Sequence, residues 1–86
     1  MKIKTTKKFD KDYACLPKKI KDLLDEKLKF FFENQRHPSL RVKKMEGHTN
    51  IWEASINMQY RFTFEIYEDS TYILRRIGSH DILNTP

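Results

Sequence analysis

Residues 51–67 read Ile51-Trp52-Glu53-Ala54-Ser55-Ile56-Asn57-Met58-Gln59-Tyr60-Arg61-Phe62-Thr63-Phe64-Glu65-Ile66-Tyr67. Their period of two decides the fold, because side chains alternate across a strand while helical neighbours recur every three or four residues. In 51–58, Trp52, Ala54, Ile56 and Met58 share one face, with Glu53, Ser55 and Asn57 opposite. In 60–67, Tyr60, Phe62, Phe64 and Ile66 take one side, and Arg61, Thr63, Glu65 and Tyr67 the other. Glu68-Asp69-Ser70 predicts a tight turn, and 71–77 (Thr-Tyr-Ile-Leu-Arg-Arg-Ile) a last long strand ending at Gly78.

Outward toward the N-terminus, residues 40–46 also alternate and predict a strand that closes at Gly47, with Gly47–Asn50 as a turn. The period then changes. From Pro17 to about Asn34, Ile20, Leu23, Leu24, Leu28, Phe31 and Phe32 recur at three- and four-residue steps, a helix with one apolar stripe that reads as core. Asn34-Gln35-Arg36-His37-Pro38 ends it, with His37 extended ahead of the proline. Pro17 opens this helix and breaks an earlier one, about Lys7 to Leu16, whose Phe9, Tyr13 and Leu16 stack on one face. Residues 2–6 alternate and predict a short, charged edge strand. The expected fold is α+β in the order β-α-α-β-β-β, with an N-terminal helical pair packed on a mostly antiparallel, twisted sheet of four to five strands. Residues 1–86 are expected to form one domain.

Seventeen Lys and Arg against twelve Asp and Glu give a net charge of +5, which points to a polyanion or an acidic protein partner. The one cysteine, Cys15, allows no internal disulfide and reads as a small packed residue. His37, His48, His80 and Cys15 lack metal-binding spacing, and two glycines cannot make a Gly-rich phosphate loop, so neither metal nor cofactor is expected. No apolar run reaches membrane length and the N-terminus lacks a signal-peptide core, so the expected location is the cytoplasm.

Four stretches then carry a resemblance: residues 37–47 (His-Pro-Ser-Leu-Arg-Val-Lys-Lys-Met-Glu-Gly), Ile51-Trp52-Glu53-Ala54, Tyr60-Arg61-Phe62, and Ile77-Gly78-Ser79-His80-Asp81. In order and spacing they resemble the RelE/ParE superfamily of toxins, in particular its RelE/YafQ-like branch. The resemblance covers nearly the whole chain. It implies a toxin of a toxin–antitoxin pair, with a cognate antitoxin as protein partner. It further implies a ribosome-dependent mRNA endoribonuclease that drives the 2′-OH onto the adjacent phosphate, or, in some members, an inhibitor of DNA gyrase. A degenerate toxin that only binds its antitoxin is the third reading.

Metal-free RNA cleavage needs a base, an acid, and cations around the scissile phosphate. The resemblance gives the Arg of Tyr-Arg, Arg61, to the scissile phosphate. The alternation alone has it facing away from the Phe62 and Phe64 core, where an ion pair with Glu53 or Glu65 is the competing role. His80 after Gly78-Ser79 is the candidate acid or base, against an ordinary surface histidine. Lys44 is the third catalytic candidate, and Arg41, Lys43, Arg75 and Arg76 are candidates for the RNA backbone. Adjacent strand residues face opposite ways, so one of Lys43 and Lys44 is expected in the cleft, Lys43 shares a face with Arg41, and Arg75 and Arg76 are expected to diverge. Glu53 is a supporting residue, as a base or to orient Arg61. Ser55 and Gln59 stand where the ribonuclease branch often carries a second His and an acid, and the chain ends at Pro86 without a longer tail helix, so catalysis falls to Arg61, His80 and a lysine.

Overall fold

In the computed structural model, which describes residues 2–34, 37–67 and 70–86, the chain runs β1 (Lys2–Thr5), α1 (Lys7–Ala14), α2 (Lys18–Glu33), a 3₁₀ turn (Pro38–Leu40), β2 (Lys43–Lys44), β3 (Ile51–Ser55), β4 (Tyr60–Tyr67), β5 (Thr71–Ser79) and a second 3₁₀ segment (His80–Asn84). The strands form one five-stranded sheet in the order β1-β5-β4-β3-β2. The β1–β5 pair is parallel and the other three pairs are antiparallel. This is the α+β architecture that the alternating stretch predicts, with β1 at an edge as expected.

The alternation of β4 explains the core. Phe62 and Phe64 are fully buried and project toward the helices. Phe31 of α2 drops between them: its ring stands edge-on to Phe62 at 5.6 Å, Phe64 at 4.9 Å and Tyr72 at 5.5 Å. Burying such a side chain contributes about 1.5–3 kcal/mol, and each well-set ring pair adds about 0.5–1.5 kcal/mol. Leu24 lies on the same stripe of α2 and is fully buried. Phe32, one residue and about 100° further round the helix, is 47% exposed rather than part of the stripe.

Helix α1 starts where β1 leaves the sheet. Thr6 is its cap rather than a strand residue: its Oγ1 accepts from Phe9 N and donates to Arg75 O at 2.7 Å. Pro17 stands just before α2, and its carbonyl accepts from Ile20 N and Lys21 N. Cys15 follows α1 and is exposed, not packed, because the buried position there belongs to Leu16.

Four further expectations are corrected. The strand expected over 40–46 shrinks to Lys43–Lys44. Leu40 enters the core from a 3₁₀ turn, and Arg41 takes a left-handed backbone with φ 47°, which no pleated strand admits. The strand expected over 51–58 stops at Ser55, because Asn57 Oδ1 accepts from Gln59 N and Tyr60 N and turns the chain. Met58 falls on that turn and is 80% exposed. The strand expected over 71–77, ending at Gly78, continues to Ser79. In the turn assigned to Glu68-Asp69-Ser70, residues 68 and 69 lie outside the described residues, and Ser70 has φ 60°.

The fourth departure positions the site. Thr63 pairs with Arg76 but Phe64 pairs with Leu74, which leaves Arg75 as an extra residue in β5. A bulge of this kind resets the alternation. Leu74 and Ile77 both remain buried, and Arg75 and Arg76 come out together on the face away from the helices.

Candidate functional site

Cross-strand partners share a face, so the register sorts the candidates. Ala54, Phe62 and Ile77 form one line across the sheet on the helix side, and Trp52, Phe64 and Leu74 form another. The opposite, helix-free face carries Glu53, Thr63 and Arg76 in one line, and Ser55, Arg61 and Gly78 in the next. Lys43 pairs with Glu53 and joins this face. Lys44 pairs with Trp52 and stands on the helix side. Of the two lysines, then, Lys43 shares a face with Arg61 and Lys44 does not, which separates Lys44 from the other catalytic candidates. Arg41 lies outside β2: its left-handed backbone takes it out of the strand, and it lines a cavity with Lys27, Ser55, Asn57 and Met58.

Arg61 is half-buried and its side chain is already oriented. Its Nη1 donates to the Asn57 carbonyl and to the Tyr60 carbonyl, the latter at 3.0 Å. Neither Glu53 nor Glu65 pairs with it among the described residues. Glu65 instead holds Arg75, with Nη1 3.2 Å from Oε1. The turn that ends β3 thus fixes the guanidinium by its carbonyl oxygens, and no acid among the described residues pairs with the cation.

His80 follows the end of β5. Its amide donates to Gln59 O at 3.1 Å, and Ser79 pairs with Tyr60, so His80 lies at the same end of the sheet as Arg61. Its side chain is exposed and has no hydrogen-bond or ionic partner among the described residues. Gly78, directly across from Arg61, has no room for a side chain: an added Cβ would sit 2.9 Å from Ile82 Cγ2. That close approach lets the 80–84 segment fold back against the sheet.

Arg75 and Arg76 were expected to diverge, and the bulge overturns that. Both reach the last residues of the chain: Arg75 Nε donates to Pro86 O at 3.1 Å, and Arg76 Nη1 to Thr85 O at 3.3 Å. Thr63 Oγ1 donates to the same Pro86 oxygen. Arg76 is further clamped by Asp12 of α1, Nε to Oδ2 at 2.8 Å and Nη2 to Oδ1 at 3.1 Å. Those hydrogen bonds to the Asp12 carboxylate raise the Arg76 pKa, with burial opposing them. Asp12 Oδ2 also accepts from Ile77 N on the open edge of β5, beyond the stretch that β1 covers. A cavity of about 370 Å³ opens beside the arginine pair, and Lys8, His48 and Ile51 line its other walls.

The helix-free face therefore gathers Lys43, Glu53, Arg61, Arg75 and Arg76, with His80 at its end. Asp12, Lys8 and His48 were missed. Asp12 meets Arg76 across 64 positions, which no local pattern signals. No group of three or more His, Cys, Asp or Glu side chains placed to hold a metal ion occurs among the described residues. Among the described residues no helix is long and apolar enough to cross a membrane.

No family model and no curated protein matches the sequence. Solved structures do match in shape. The YoeB/ParE toxin from Agrobacterium tumefaciens superposes with a TM-score of 0.78 at 13% identity, covering 93% of this chain and 99% of that one. YafQ from E. coli strain BL21(DE3) gives 0.76 at 14% identity over 94% of each chain. A chain of the RelB–RelE antitoxin–toxin complex from Methanococcus jannaschii gives 0.71 at 23% identity over 95% of each. At such identities the likeness speaks for the fold, and the chain has the fold of the RelE/ParE superfamily.

Proposed function

We propose that this protein is the toxin of a toxin–antitoxin pair and acts as a metal-independent endoribonuclease on mRNA at the ribosome. The observation that carries the reading is the position of Arg61 and His80 at one end of the sheet, a guanidinium fixed by carbonyl oxygens and an exposed imidazole. The fold supports it, since chains of this shape include RelE, YoeB and YafQ toxins.

In this reading the Arg61 guanidinium holds the scissile phosphate and the charge that builds on it as the 2′-oxygen attacks. One positioned donor of this kind is worth about 3–4 kcal/mol to a transition state. Bonds to the Asn57 and Tyr60 carbonyls orient Arg61 without neutralising it, which an acid partner would do. His80 exchanges a proton with the attacking 2′-OH or the leaving 5′-oxygen. Lys43, on the same face, replaces Lys44 as the lysine beside the phosphate, with Glu53 as its cross-strand partner. The products are a 2′,3′-cyclic phosphate and a free 5′-hydroxyl, and no cofactor takes part. The protein partner is an antitoxin with an acidic, amphipathic segment that covers the basic face, in keeping with the net charge of +5. Complexes such as RelB–RelE and DinJ–YafQ among the structural neighbours support a partner of this kind.

Purified protein added to ribosomes programmed with a defined mRNA tests the reading. New 5′ ends inside the message, produced in the presence of chelator and blocked by the antitoxin, are the expected result. Intact message would refute it.

A further inference from the structure

The cavity beside Arg75 and Arg76 is not used by the chemistry just described. It opens on the same helix-free face as Arg61, but further along the strands. Ile51, one of its walls, pairs with Glu65. Glu65 is four residues from Arg61, about 13 Å of strand. Arg76, the nearer wall, pairs with Thr63, two residues or about 7 Å of strand from Arg61, so the cavity runs from about 7 to 13 Å beyond Arg61 on one continuous surface.

Its lining is basic and polar. Arg75 and Arg76 form one wall, and both are already committed, Arg75 to Glu65 and Pro86, Arg76 to Asp12 and Thr85. They are rigid walls with little charge to spare. Lys8 and His48 face them from the start of α1 and from the β2–β3 turn. Both side chains are exposed and have no hydrogen-bond or ionic partner among the described residues. Two unpaired basic groups drawn from distant parts of the chain thus converge on a cavity of about 370 Å³, walled by two fixed guanidinium groups. An anionic oxygen cluster on a linear chain fits that arrangement, and a phosphodiester is the group that would already lie on this surface.

We propose that this cavity binds a second backbone phosphate of the single-stranded RNA whose scissile phosphate sits at Arg61, with Lys8 and His48 as its contacts. The inference rests on the reading of the helix-free face as an RNA site. It assigns Lys8 and His48 to binding and not to the chemical step.

The test is the salt dependence of binding to a 2′-O-methyl RNA oligonucleotide, which cannot be cleaved. Each phosphate contact to a single strand contributes about 0.7 to the slope of log K against log salt. Lys8→Ala is expected to reduce the slope by about 0.7 and weaken binding several-fold, Lys8→Arg to restore both, and Lys8→Ala with His48→Ala to weaken binding further. Residual cleavage of a saturating RNA substrate serves to check that each variant keeps its fold and its Arg61 site. An unchanged slope in Lys8→Ala and in the double variant, with cleavage intact, would overturn the second phosphate site alone. Absence of RNA binding by the wild type would overturn it together with the reading on which it rests.

Discussion

Replacing Asp12 by alanine removes the one side chain that ties α1 to both the backbone of β5 and an arginine of the basic face. The carboxylate accepts from Arg76 Nε at 2.8 Å, Arg76 Nη2 at 3.1 Å and Ile77 N at 3.2 Å. Hydrogen bonds to charged groups contribute about 1.5–3 kcal/mol and neutral ones about 1 kcal/mol. The ion pair is about one-fifth exposed on each side, 22% and 19%. Water then recovers part of what is lost, and the two arginine bonds count as one contribution near the low end, about 1.5 kcal/mol. The Ile77 amide, left without its acceptor, adds about 1 kcal/mol. The expected loss is about 2–3 kcal/mol. In a chain of this size each kcal/mol lowers the melting temperature by about 4–8 °C, so Asp12→Ala is expected to melt roughly 10–20 °C lower. Asp12→Asn keeps an acceptor for Ile77 and is expected to lose about half as much. Urea unfolding followed by circular dichroism measures both, with the slope on denaturant unchanged. An Asp12→Ala protein within about 0.5 kcal/mol of the wild type would refute the claim that this contact fastens α1 to the sheet.

Gly78→Ala forces a Cβ to within 2.9 Å of Ile82 Cγ2. Overpacking of that kind costs about 1–3 kcal/mol, and because Ile82 is buried the 80–84 segment must move, so cleavage is expected to fall along with stability. Calorimetry and a cleavage assay on the same sample check this. Phe31→Ala empties the centre of the ring cluster and is expected to cost about 3–5 kcal/mol. Met58→Ser, on the exposed turn, should change stability by less than about 0.5 kcal/mol. On cleavage rate, Lys43→Ala is expected to cost about tenfold, some 1.4 kcal/mol of barrier, and Lys44→Ala far less. Equal losses would contradict the register that places the two lysines on opposite faces.

The parts of the fold that were legible are those where one local rule acts alone. The strand Tyr60–Tyr67 has the bounds that its alternation predicts, because the centre of one face, Phe62 and Phe64, is buried under Phe31. The helices end within a few residues of expectation because proline and capping residues mark them. The unreadable parts depend on partners. Nothing in Arg75-Arg76 announces a bulge, since an extra residue appears only when β5 is set against β4. Which of Lys43 and Lys44 meets Arg61 depends on the pairing of β2 with β3, and two residues carry no period. Leucine at position 40 satisfies an alternating pattern and a buried 3₁₀ turn equally well, so the pattern alone does not mark where the strand starts. For the site, Arg61 and His80 were found through the order of short motifs, whereas Lys8 and His48 converge only in the folded chain.

The most direct test of the account is controlled expression of the wild type beside Arg61→Ala and His80→Ala, with growth and transcript ends read together and folding of each variant checked by circular dichroism. The account predicts growth arrest with new internal 5′ ends for the wild type, and cleavage reduced about 10²–10³-fold or more in Arg61→Ala, with a like loss in His80→Ala. Arrest with intact transcripts, or cleavage that survives in a folded Arg61→Ala protein, would contradict it.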